Sequence, residues 1–225
     1  MADARQSAPF ERHLDLGCGT TPRNPYGRSA LYGVDLRHIE TSATVEIVAA
    51  NLAFEPIPFD NDAFGSVSAF DFIEHIPRVL NGTEPNTTCF PFVRLMDEIW
   101  RVLAPGGLFY ALTPCFPSHA SFQDPTHVNI ITDSTHEYFC GERPIARMYG
   151  FRGGFAVRRA QWVIPEHSQT SAPLTWRQEW TRRRKCQARP ADLLPVGTRG
   201  REAAPAPRRR KLTCQTLPCP RRASA

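Results

Sequence analysis

The sequence predicts an α/β domain built on a doubly wound parallel sheet, with a basic tail that stands outside it. Three observations carry that prediction. Short apolar runs of strand length recur between His13 and Pro114, an amphipathic helix stands before the last of them, and periodic patterning stops near residue 165. Strands that alternate with helical or loop connections pair in parallel and place helices on both faces of the sheet.

Taken in order, residues 13–18 form a strand run that closes on a glycine turn, and residues 31–36 form a second. Residues 44–52, rich in Val, Ile and Ala, read as a third strand, and residues 66–72, after a proline-punctuated loop, as a fourth. Phe92, Leu95, Met96, Ile99, Val102 and Leu103 recur at the spacing of one helix face, so residues 92–103 are expected to be helical. Pro105, Gly106 and Gly107 end that helix, and residues 108–114 supply a fifth strand. A further helix is expected over 134–149 and an extended stretch over 153–163. That stretch has no convincing partner strand after it, because only Leu193-Leu194-Pro195-Val196 comes near and its proline lacks a ladder donor. The terminal hairpin of the sheet is therefore expected to be incomplete.

Composition sorts the chain into two parts. With 225 residues, 41% of them apolar, there is material for one well-packed domain. No apolar run is long enough to span a bilayer, and the polar N-terminal segment lacks the apolar stretch of a signal peptide, so a cytoplasmic location is expected. Seven cysteines, odd in number and without a C-x-x-C pair, read as ordinary thiols. The net charge of +5 hides an asymmetry. Residues 182–225 hold thirteen of the 27 basic residues and two of the 22 acidic ones, so the preceding body is acidic. This gives a domain over 1–181 and a disordered Arg/Pro-rich tail over 182–225. The tail's arginine runs carry no interleaved aromatic residues, so nucleic acid is not the expected partner.

Leu14-Asp15-Leu16-Gly17-Cys18-Gly19-Thr20 resembles the first motif of class I S-adenosylmethionine-dependent methyltransferases. The physics suits that cofactor: glycines let it approach the backbone, while the acid meets the cationic methionine end and would repel a pyrophosphate. Further likenesses follow in chain order. Gly33-Val34-Asp35 is similar to the family's second strand, Asn51-Leu52 falls where its third strand ends, and residues 57–64 resemble the loop after it. Residues 98–107 resemble its helix and turn before the fifth strand. The likeness covers roughly residues 13–165 and is closest to the type 11 methyltransferase domain. It implies a Rossmann-like sheet, S-adenosyl-L-methionine as cofactor, and a cradle of Asp15, Gly17, Cys18, Gly19, Asp35, Asn51 and Leu52. Asp35 would accept from the ribose hydroxyls, and Asn51 replaces the Asp that usually stands near the adenine. Thr21 stands in place of the family's third glycine, so the loop is stiffer than usual.

Asp71-Phe72-Ile73-Glu74-His75 follows the fourth strand, where open α/β sheets place their substrate crevice. It resembles the Glu-x-x-Glu-His arrangement of ubiquinone-biosynthesis and small-RNA O-methyltransferases. In those enzymes carboxylates and imidazole hold a divalent cation, which makes Asp71, Glu74 and His75 candidate ligands, with His127 of Asp124-Pro125-Thr126-His127-Val128-Asn129 as a candidate fourth. The expected site holds no metal: Glu74 and His75 shape the pocket wall, or His75, Glu74 or His127 removes a proton from the acceptor. The expected acceptor is an oxygen of a small molecule or saccharide. Two rivals differ in class. An NAD-dependent oxidoreductase fails because Pro22 stands where the third glycine of Gly-x-Gly-x-x-Gly belongs. A non-catalytic binding module with a recruiting tail would hold the cofactor without turnover.

Overall fold

The computed structural model describes residues 8–39, 45–82, 84–188 and 194–200, the side chains of 165, 185–188 and 194–200 excepted. In chain order they form β1 (Arg12–Leu16), β2 (Ala30–Asp35), β3 (Val45–Ala49), β4 (Phe64–Phe70), β5 (Leu80–Asn81) and β6 (Thr88–Cys89). Then follow α1 (Pro91–Val102), β7 (Leu103–Leu112), α2 (Ala120–Gln123), β8 (Ala156–Val163), α3 (Trp176–Ala188) and β9 (Leu194–Gly200). The sheet runs β3-β2-β1-β4-β7-β9-β8. Its five strands from β3 to β7 are parallel, as expected, and β9 is antiparallel to both neighbours.

Side chains alternate across the sheet, and the two faces differ in chemistry. Leu14 and Leu16 of β1, Val67 and Ala69 of β4 and Phe109 of β7 enter a core shared with Phe92, Leu95, Met96 and Ile99 of α1. The opposite face carries His13, Asp15, Ser66, Ser68 and Tyr110, all buried. No helix covers that face between β1 and β2. Pro22 and Pro25 lack the amide a helix needs, so residues 17–29 stay a loop. Tyr26 of this loop lies over the sheet, 6.2 Å from the His13 ring and edge-on to Tyr110. The Arg23 guanidinium covers Phe70 at 4.8 Å.

Two expectations need correction. The helix expected over 134–149 is two separate 3₁₀ turns, Thr135–Phe139 and Ile145–Tyr149. Gly141, at φ 88, and Pro144 interrupt the run between them. The terminal hairpin is complete, and the expected tail is structured over part of its length. α3 runs through Arg182, and β9 lies between β7 and β8. Pro195 does not weaken the β7 ladder, because that register begins at Val196 opposite Leu112. Residues 201–225 lie outside the described residues.

The complete hairpin yields the first prediction. A chain ending at Thr181 is expected to lose its cooperative thermal transition, because β9 is the strand that lies between β7 and β8 in the sheet. A chain ending at Gly200 keeps it. Circular dichroism melts of the two truncations check this, and a normal melt for the shorter one would show that β9 is dispensable.

Candidate active site

The strand ends gather the predicted cradle. The amides of Gly17 and Cys18 both donate to the Val34 carbonyl, at 2.8 and 3.2 Å, tying the first turn to β2. Gly17 adopts φ 65, and a Cβ built there would lie 2.4 Å from Cδ2 of Phe72. Asp35 at the end of β2 accepts from the Gly19 amide at 2.8 Å and pairs with Arg37 at 2.9 Å. Partial burial opposes ionisation of Asp35, but hydrogen bonds from Arg37 and Gly19 hold its carboxyl below the usual range. Asn51 caps its own turn by accepting from the Ala53 amide, and Leu52 is buried beneath it. Cys18 is buried, and burial first, then the charges of Asp15 and Asp35, push its thiol up to about 12. It contributes backbone rather than a thiolate.

Asp15 belongs to a buried hydrogen-bonded chain that sequence reading did not foresee. Its Oδ1 accepts from Ser68 Oγ at 2.6 Å, and its Oδ2 accepts from the Arg23 amide at 2.8 Å. Because Ser68 spends its proton on Asp15, it accepts from Nε2–H of His13 at 2.8 Å. Nδ1 of His13 then accepts from Ser66 at 2.7 Å. The parallel register His13↔Ser66 and Asp15↔Ser68 creates the chain. Burial, followed by the Arg28 charge, lowers His13 to about 3, so it stays neutral. Burial raises Asp15 to about 6. The available signal was the alternation of polar residues in His13-Leu14-Asp15 and Ser66-Val67-Ser68.

A second cluster lies across the end of β4. Ligand-type atoms of Glu74, His75 and His127 lie within 4.8 Å of one another. Asp71, expected with them, is not part of that group. It sits at φ 48 with its amide bound to the Leu112 carbonyl, joining the ends of β4 and β7. Glu74 is buried, its Oε2 accepts from Thr113 at 2.8 Å, and its Oε1 has no partner. Burial pushes this carboxyl up to about 7. Thr126 Oγ1 donates to Asp124 at 2.6 Å and therefore accepts from Nδ1–H of His75 at 2.9 Å. In the neutral ring this tautomer turns the lone pair to Nε2. The His127 ring meets His75 edge-on at 4.8 Å, and its buried Nδ1 has no partner. Asn129 locks the loop by donating to the Ile73 carbonyl at 3.0 Å.

No protein-family profile and no curated protein matches the chain. Solved structures do resemble its fold. An S-adenosylmethionine dependent methyltransferase from Mesorhizobium loti is similar at a TM-score of 0.50 and 15% identity, over 84% of this chain and 90% of that one. The [4+2]-cyclase SpnF is similar at 0.50 and 16% identity, over 86% of this chain and 75% of that one. With the strand order described above, these likenesses show a class I methyltransferase fold. A methyltransferase and a cyclase on one scaffold mean that the reaction must be argued from the site. Among the described residues, no helix is long and apolar enough to cross a membrane.

Proposed function

We propose that this protein is an S-adenosylmethionine-dependent methyltransferase acting on an oxygen of a small-molecule or saccharide acceptor. The observation that carries the proposal is the placement of a histidine base and an acidic glycine turn at neighbouring strand ends, β4 and β1. When bound, the cofactor supplies an already activated sulfonium methyl, so the chain's work is orientation, desolvation and proton removal. Asp15 meets the cationic amino group of its methionine part. Asp35 accepts from the ribose hydroxyls, Asn51 and Leu52 border the adenine, and Gly17, Cys18 and Gly19 provide a close backbone surface. The missing Cβ of Gly17 fits this cradle, since one would fill the space beside Phe72. His75 takes the acceptor proton on Nε2, with Asp124 and Thr126 fixing its tautomer. Glu74, clustered with His75, helps hold that proton, and His127 completes the wall. Release of S-adenosylhomocysteine with a panel of hydroxylated acceptors tests the activity. Tight cofactor binding with no turnover across the panel would favour the binding-module alternative.

Asp15 gives this reading a pH signature. Its carboxyl titrates at about 6 in the free protein, and only the ionised form pairs with an ammonium. The cofactor dissociation constant is therefore expected to rise by about tenfold per unit as pH falls below that value. Calorimetry between roughly pH 5 and pH 8 measures it, and a flat profile would remove Asp15 from the cofactor site.

A divalent cation fits the second cluster. The orphaned Glu74 Oε1 and His127 Nδ1 are unsatisfied donors of electron pairs, and one carboxylate with two imidazoles suits zinc better than magnesium. Bound there, it would polarise the acceptor oxygen. A cation on Nε2 of His75 excludes proton uptake at that atom, so the two roles are separable. Zinc titrated into the full chain is expected to give a binding heat that His127→Ala abolishes. An unchanged heat in the variant would leave the cluster as a metal-free base.

A further inference from the structure

We infer that the outward face of α3 binds single-stranded nucleic acid, with unpaired bases stacked on Trp176 and Trp180 and phosphates drawn to the arginines beside them. The inference goes beyond the methyltransferase reading and does not rest on it. The arginine runs from Arg182 onward hold no interleaved aromatic residue. α3 begins at Trp176, however, and so brings two tryptophans and the first of those runs onto one helix. Its two sides differ. Glu179 and Arg182 lie inward, joined at 2.6 Å, and Arg182 Nη1 donates to the Trp162 carbonyl of β8 at 3.2 Å. Helical geometry then puts Arg183, Trp176, Trp180, Arg184 and Arg177, in that angular order, within one outward sector of roughly 120°.

Trp176 is 75% exposed and Trp180 56%, so both leave apolar ring surface in water. The Arg177 guanidinium lies 5.2 Å from the Trp176 ring centroid, and that of Arg184 lies 4.6 Å from the Trp180 centroid. Among the described residues, neither arginine pairs with a carboxylate. Each ring therefore stands beside a free cation, which supplies both things a nucleotide needs: a flat surface for the base and positive charge for the phosphate. The rings are four residues apart, about 6 Å along the axis, so each can take its own base. Other polyanionic partners lack one half of this match. A helix lying in a membrane surface inserts a continuous apolar face, whereas α3 has no Leu, Ile, Val or Phe. A duplex would meet the arginines, but its bases are stacked on one another, out of the rings' reach. β7 and β8 both run antiparallel to β9, so Trp162 stands at the carboxyl end of the parallel strands. A strand held on α3 thus lies at the end of the sheet that carries the candidate active site.

The test is fluorescence anisotropy of a labelled oligothymidylate of about 12 nucleotides titrated with the full chain, beside labelled heparin as a polyanion without bases. The oligonucleotide is expected to bind, and more weakly as salt rises. Trp176→Ala combined with Trp180→Ala should weaken it by about tenfold per ring, with heparin affinity and the thermal melt unchanged, because both rings are exposed. Trp176→Phe with Trp180→Phe keeps a stacking ring at each place and should recover most of that loss. Arg177→Gln with Arg184→Gln should weaken both ligands and flatten the salt slope for the oligonucleotide by about 0.7 per arginine. A parent chain that does not bind the oligonucleotide, an alanine pair that binds it as the parent does, or an equal loss for heparin overturns the inference. Phosphatidylserine vesicles that lose affinity in the alanine pair while the oligonucleotide does not would overturn it too, and give this face to a membrane.

Discussion

Gly17→Val is expected to abolish S-adenosylmethionine binding. At φ 65 the backbone occupies the left-handed region, which costs an L-residue roughly 1–2 kcal/mol and a β-branched one more. The added Cβ would also stand 2.4 Å from Phe72 Cδ2 and 2.8 Å from its Cγ, closer than packed carbons come. Either the Phe72 ring swings into the crevice or the turn carrying Gly17, Cys18 and Gly19 shifts away from β2. Both outcomes fill or distort the space the cofactor would take. Gly17→Ala brings the same Cβ without the branch: it keeps a cooperative melt, destabilised by the backbone cost of about 1–2 kcal/mol and by the shift of Phe72, and already shows weakened affinity. Calorimetry on both variants checks the expectation. Undiminished affinity in the valine variant would take the cofactor away from this turn.

Glu74→Gln is expected to lower turnover and raise stability together. A carboxyl that helps accept or hold the acceptor proton is worth about 10²- to 10⁴-fold in rate. Its folded value of about 7 lies above the ordinary 4.5, so the folded chain holds this proton more tightly than the unfolded chain. Stability from this group is present at low pH and is lost as pH rises from 4.5 through about 7. Above that range the buried charge costs on the order of 2–3 kcal/mol, which glutamine removes while still accepting from Thr113. At about pH 8 the melting temperature should rise by several degrees, and at about pH 5 the gain should vanish. His13 and Asp15 do not mask this trend between about pH 4 and pH 6. Unfolding lets His13 take up a proton and Asp15 release one, so their slopes oppose each other. A variant no more stable than its parent at pH 8 would mean that Glu74 is not strained in the folded protein.

Much of this molecule is legible in its sequence, and the misses have identifiable causes. The parallel strands and α1 follow from local periodicity, which a single segment carries within itself. The acid-glycine turn is legible for the same reason. β9 was missed because Pro195, Gly197 and Gly200 supply little apolar alternation. It is held by ladders on both sides, a tertiary effect that overrides weak propensity. The helix expected over 134–149 failed for the opposite reason: its apolar spacing was adequate, but Gly141 and Pro144 cut it. Links across long separations left little trace. His13 meets Ser66 and Ser68 through strand register, and His75 meets Thr126 through a loop that returns beside β4. Glu74, His75 and His127 were named from the sequence and their ligand-type atoms converge in the structure, whereas Asp71 is outside that converging group and acts on it through its charge.

The position of β9 also sets an order of events during synthesis. β7 leaves the ribosome with the apolar stretch Leu108-Phe109-Tyr110-Ala111-Leu112, and its outer edge waits for a strand more than eighty residues downstream. β8 emerges in between with the same need and cannot take that place, since each of them pairs with β9. Until Gly200 is clear, the nascent chain presents two unpaired strand edges, the feature most prone to join edges on a neighbouring chain. Completion of the sheet is therefore a late, long-range step, slow by its loop-closure entropy. Yield in the cell should depend on chaperones that shield β7 through that interval.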